Sequence, residues 1–114
     1  MTTVIDIRDK KALKWAAGTG RYVYVGRPSF WGNPYTHLKF VTTHAIIKVS
    51  TVEEAVARYA ADFWNDLDMV AALPELIDCV LGCFCLTVLD GVFTKPYRCH
   101  AAFLADEANK LVQP

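Results

Sequence analysis

Tyr22-Val23-Tyr24-Val25-Gly26-Arg27-Pro28-Ser29-Phe30-Trp31-Gly32-Asn33-Pro34 runs from β-branched and aromatic residues into a loop held by two prolines. The first four residues predict a short, largely buried strand. Gly26 can end that strand in a conformation closed to other residues. Pro28 and Pro34 fix two backbone angles and remove two amide donors, so the segment between them does not belong in a central sheet. Gly32-Asn33 is a turn signal. So stiff a loop suits a pre-organised site. Arg27 offers a planar fork of donors matched to phosphate or carboxylate. Ser29 and Asn33 add neutral hydrogen-bonding groups, and Trp31 can stack on a base or cover a ligand. The bland alternative is a structural turn in which Arg27 pairs with an acid and Trp31 fills the core.

Nearer the N-terminus, Thr3 to Ile7 reads as a first strand. Asp9 is placed to cap a helix through Lys10 to Ala17, stopped by Gly18. Gly18-Thr19-Gly20 precedes a strand rather than a helix, the wrong order for a phosphate loop. Beyond the central loop, Phe40 to Val49 is a strand or a hairpin, and His37 and His44 are lone histidines read as surface or hydrogen-bonded residues. Thr51-Val52-Glu53-Glu54 is a capping box. Val52, Val56, Tyr59, Phe63 and Leu67 follow at helical spacing as one buried face. A short helical turn from Met69 to Leu73 is broken by Pro74.

Cys79 to Cys85 predicts a buried strand, with Cys83 and Cys85 on one face and Phe84 on the other. Leu86 to Arg98 reads as a loop or hairpin turning at Asp90-Gly91. Cys99-His100 opens a helix from Ala101 to Leu111, with Phe103, Leu104, Ala108 and Leu111 inward. The order strand, helix, strand, helix gives an α/β class: a small Rossmann-like sheet flanked by helices, with residues 1–114 as one domain.

The chain has 114 residues and no net charge, enough for one core and not two. No apolar stretch reaches transmembrane length, and Met1-Thr2-Thr3 opens no signal peptide. A cytoplasmic protein is expected, with no membrane partner and with Cys79, Cys83, Cys85 and Cys99 as thiols or metal ligands. The charge is uneven. Arg8, Lys10, Lys11, Lys14, Arg21 and Arg27 crowd the first third, while Glu53, Glu54, Asp62, Asp66, Asp68, Glu75 and Asp78 face only Arg58 in the middle. Binding of long nucleic acid is not expected, because no basic face spans the protein. A small anion near the basic end is compatible with this pattern.

Several of these blocks resemble a domain-of-unknown-function family, DUF4326, found in phages and bacteria. The matching pieces are Tyr24 to Ser29, Trp31 to Pro34, Glu54 to Tyr59, Leu73 to Leu76, Leu81 to Cys85, and Cys99-His100 with Leu104. The resemblance implies a small α/β fold and supplies no activity. In the family the step from the second cysteine to the Cys-His pair is usually short; here it is lengthened by Leu86 through Tyr97. The Cys-then-Cys-His pattern is also similar to another uncharacterised α/β family, numbered 488.

Three arrangements fit the cysteine cluster. Cys83, Cys85, Cys99 and His100 are zinc-ligand types, though adjacent ligands are awkward. Cys85 or Cys99 as nucleophile with His100 as base would make an enzyme. Buried thiols with a helix start offering amides to an anion would make a binding site. The reading preferred on the residues is a pocket for a nucleotide-like or other phosphate-bearing small molecule, held by Gly26, Arg27, Ser29, Trp31 and Asn33 opposite Cys99-His100. A transferase or hydrolase acting on a nucleotide-derived substrate through Cys85, Cys99 and His100, and a host-protein interaction module, are the alternatives.

Overall fold

The computed structural model describes residues 1–27, 29–36, 47–84 and 86–112. Expectations for Pro28, for His37 and His44, for most of the Phe40–Val49 segment and for Cys85 fall outside these residues.

A three-stranded parallel sheet carries the molecule. It is formed by β1 (Thr3–Asp6), β2 (Tyr22–Tyr24) and β5 (Val80–Cys83), in the order β1-β5-β2. Between β2 and β5 lie β3 (Tyr35–Thr36) and β4 (Ile47–Lys48), which pair with each other in parallel. The helices are α1 (Lys10–Gly18), α2 (Val52–Asn65), α3 (Leu67–Ala72) and α4 (His100–Lys110), with one 3₁₀ turn at Leu73–Leu76. The described chain is therefore mixed α/β.

The last strand in sequence occupies the centre because it is apolar on both faces. All four residues of β5 are buried, whereas β2 is a half-buried edge strand. Register pairs Val4 with Leu81 and Asp6 with Cys83 on one side, and Tyr24 with Gly82 on the other. Alternation then sorts the side chains. Val4, Leu81 and Cys83 join the main core with α2 and α4, while Ile5 and Val80 meet Ala16 of α1 on the opposite face. Gly82 leaves room on the α1 face. A Cβ there would stand 2.6 Å from Tyr22 Cε1 and 2.8 Å from Ile7 Cγ2.

Local signals set the helix ends. The Asp9 carboxylate accepts from the amides of Lys11 and Ala12, and Thr51 Oγ1 accepts from the Glu54 amide. Glu54 closes the box one residue early, on the amide of Ser50. Asp66, in extended conformation, ends α2 and caps α3. That break resets the helical phase and turns Leu67 out to 81 % exposure, so the expected buried face stops at Phe63. α3 stops at Ala72, just ahead of Pro74, and the proline lies in the first positions of the 3₁₀ turn, where its missing amide is not needed. α4 begins at His100, one residue earlier than expected, and Leu111 lies past its end and exposed. The segment from Leu86 to Arg98 is not a hairpin; Val88 forms a single antiparallel bridge with Val4, and the chain turns at Gly91 with φ +72°.

Asn109 ties this turn to the first strand from within the core. Its Oδ1 accepts from the Thr2 amide (2.7 Å), and its Nδ2 donates to the carbonyls of Thr2 (3.1 Å) and Gly91 (3.4 Å). Asn109→Ala will leave these buried backbone groups unpaired and cost about 2–3 kcal/mol. The check is a fall in the urea midpoint at unchanged slope.

Candidate functional site

The carboxyl ends of the three parallel strands gather the chemistry-bearing residues. β1 delivers Asp6 and then Arg8, β2 runs through Val25 into Gly26 and Arg27, and β5 ends at Cys83 and Phe84. α4 starts against them. The contact that joins the loop to the helix is His100 Nε2 to the Val25 carbonyl, at 2.6 Å. A carbonyl only accepts, so Nε2 carries the proton. His100 is buried, and burial pushes its imidazole below the ordinary value toward the neutral form. The nearby Arg27 charge acts in the same direction, while the Val25 carbonyl and Cys83 oppose it. The Tyr59 ring of α2 lies 4.9 Å from the imidazole, and the Tyr59 hydroxyl donates to the Trp31 carbonyl. Burial raises the Tyr59 pKa, so that hydroxyl keeps its proton.

The thiols sit beside this contact. Cys99 is the cap residue of α4, and its side chain makes no cap bond to the helix amides. Its Sγ lies 3.7 Å from Cys83 Sγ, and both residues are buried. Among the described residues, no three His, Cys, Asp or Glu side chains cluster as metal ligands. The expected zinc set included Cys85, which lies outside them.

The stiff loop is braced from inside. Arg27 Nη1 donates to the carbonyls of Asn33 (2.8 Å) and Tyr35 (3.2 Å), closing the loop on itself, while Nε and Nη2 make no hydrogen bond to the described residues. The Tyr24 hydroxyl donates to the Arg27 carbonyl. Asn33 is buried, donating to the Ala55 carbonyl of α2 and accepting from the Tyr35 amide. Trp31 is 7 % exposed and belongs to the main core. Ser29 is exposed and accepts the Gly32 amide through its carbonyl. Gly26 is buried beneath the Tyr24 side chain. Of the five residues expected to bind a ligand, Gly26, Trp31 and Asn33 therefore hold the loop in shape, Arg27 does so with one nitrogen, and Ser29 faces solvent.

Residues the spacing did not single out also reach this edge. Phe30, 56 % exposed, packs edge-on against Trp31 at 4.9 Å. Phe84 is exposed and edge-on to Tyr24. Arg8 grips Asp6 through Nε and Nη2 and also donates to the Phe84 carbonyl. That guanidinium holds the Asp6 carboxyl below the usual carboxylate range. The only signal for Arg8 and Asp6 was their place at a strand end. Two hollows formed by described residues are lined by neither Arg27 nor His100. One is a shallow depression beside Lys11 and Trp15 of α1; the other is a cavity of about 200 Å³ between Thr87, Phe93, Arg98 and Ala102.

The family model described as Domain of unknown function (DUF4326) matches residues 7–110. The chain belongs to this family. The match runs from the end of β1 to the last residue of α4, so every side chain at the carboxyl edge except Asp6 lies inside it. No curated protein and no solved structure matches the chain. Among the described residues, no helix of this DUF4326 protein is long and apolar enough to cross a membrane.

Proposed function

We propose that the carboxyl edge of the β1-β5-β2 sheet binds a nucleotide-like or other phosphate-bearing small molecule in the cytoplasm. The observation that carries this reading is the divided use of Arg27. One nitrogen fixes the loop, and this leaves Nε and Nη2 as oriented donors beside the neutral His100. A guanidinium held in this way is pre-organised for bidentate contact with a phosphate. Support also comes from the sheet. In a Rossmann-like arrangement, ligands lie outside the carboxyl ends of parallel strands, and the start of α4 contributes amides and dipole at that edge. Phe30 is the exposed aromatic of the loop and takes the stacking role first expected of Trp31.

A transferase or hydrolase reading draws on the same imidazole. With Nε2 donating to Val25, Nδ1 is the basic nitrogen of a neutral, desolvated histidine next in sequence to a thiol, the state a general base requires.

The test is calorimetric titration of the purified protein with inorganic phosphate and with nucleoside mono-, di- and triphosphates, at a temperature where every variant is folded. One or more of them should bind and raise the melting temperature. Arg27→Ala should weaken that binding by about 10- to 100-fold, as expected for losing a charge-assisted pair. Arg27→Lys should recover only part, because an ammonium is not a fork. Absence of any binding, or unchanged affinity in Arg27→Ala, removes the reading.

A further inference from the structure

We propose that Cys83 and Cys99 are a redox modification site, closing reversibly to a disulfide that staples the end of β5 to the start of α4. The two Sγ atoms are 3.7 Å apart, though 16 residues separate them in sequence. A disulfide needs about 2.05 Å, so the sulfurs must approach by less than 2 Å. Cys83 is held in the central strand, at 1 % exposure, and is the fixed partner. Cys99 stands at the junction of the Leu86–Arg98 segment with α4, in extended backbone, as the cap residue of the helix. Cys79 is directed elsewhere, with its Sγ 3.2 Å from the Glu75 carbonyl.

Burial decides which oxidant fits. Both thiols are nearly closed to solvent, so a bulky disulfide reagent is excluded while the fold is intact; a hydroperoxide as small as hydrogen peroxide is comparable to water in size. One sulfur attacks the peroxide bond, takes one oxygen as a sulfenic acid and releases the other as water. The second sulfur then displaces the hydroxyl from the first, and that oxygen also leaves as water. Two thiols and one peroxide become one disulfide and two waters, with sulfur oxidised and peroxide oxygen reduced. The proximity of the second thiol favours closure over further oxidation of the first. The product would clamp Cys99 next to His100, and so affect the helix end that meets Val25. The inference does not depend on whether that edge binds phosphate.

The experiment treats the reduced, folded full chain with hydrogen peroxide, blocks the remaining thiols by alkylation in denaturant, digests with trypsin without reductant and maps crosslinks by mass spectrometry. Cleavage after Arg98 puts Cys83 and Cys99 on different peptides. Cys79 and Cys85 share the Cys83 peptide, so the Cys79→Ser/Cys85→Ser double variant is run beside the natural sequence. The expected result in both is a crosslink between the two peptides that dithiothreitol removes. In Cys99→Ser, Cys83 should instead advance to sulfenic and sulfinic acids. The proposal is overturned if Cys83 and Cys99 are alkylated or over-oxidised without a crosslink in the double variant. A crosslink that forms only in the urea-unfolded chain overturns it as well.

Discussion

Phe63→Ala will remove about 3–5 kcal/mol of folding stability, and with it the support beneath the candidate site. The loss is that of a large aromatic taken from a closed core, where transfer and cavity costs add. Phe63 is 1 % exposed on the inner face of α2 and meets Phe103 of α4 edge-on at 5.4 Å and Trp64 at 4.9 Å. Phe103 in turn meets Tyr59 and Tyr97. This aromatic group is where α2 locks to α4, and one turn earlier on α2 stands Tyr59, which braces both Trp31 and His100. Domains of this size hold about 5–15 kcal/mol in total, so the variant should melt on the order of 15–20 °C lower. Phe63→Leu, which keeps most of the volume, should cost less than half as much. Trp64→Ala is the discriminating control. Trp64 touches the same rings but is half exposed, and its loss should be much the smaller of the two in urea denaturation followed by circular dichroism. Equal losses would mean that the α2–α4 contact is not organised around Phe63.

What could be read in advance follows the range of the interaction. The Asp9 and Thr51 caps were legible because both ends of each hydrogen bond lie within a few residues. Leu67 and Leu111 were misread for a local reason that periodicity does not register: each helix stops just before the residue, Asp66 ending one and the last turn at Lys110 ending the other, so the extrapolated face no longer exists. The sheet order could not be read at all. β1 and β5 pair across more than seventy residues, and nothing in Val80 to Cys83 names its neighbours. The site shows the same division. A proline-rich bend and a Cys-His helix start were recognisable as segments, and Val25, Arg27, Cys83, Cys99 and His100 do come together at one edge. Which of two adjacent aromatics faces water was not recognisable, because an irregular loop has no period. Trp31 went to the core and Phe30 to the surface, fixed by the tertiary bond from Tyr59 to the Trp31 carbonyl. Arg27 drew attention for its donors, yet only the fold decides how many of them the loop itself consumes.

His100 should make the protein lose stability steadily as pH falls below about 6.5. The folded imidazole titrates below its ordinary value of 6.5, chiefly because it is buried. In the window between those two values the unfolded chain binds a proton that the folded protein refuses. Acid therefore favours unfolding there, and the stabilisation present above the window disappears as pH drops through it. The limiting slope for one proton is about 1.4 kcal/mol per pH unit. Asp6 and Asp78 are also shifted, but downward from 3.8, so their contributions are lost only at more acidic pH and leave this window clear. The chain has three histidines, so the difference between the natural chain and a His100 variant is the informative quantity. His100→Gln can still offer a donor to the Val25 carbonyl but cannot take up a proton. Urea midpoints measured between pH 8 and pH 5 should fall clearly more steeply for the natural chain than for His100→Gln. Parallel curves would place His100 in contact with solvent, and the tie between Val25 and α4 would lose its basis. Protonation would also put a second cation beside Arg27 within a buried site, so acid should loosen the edge of the sheet before the aromatic core between α2 and α4 gives way.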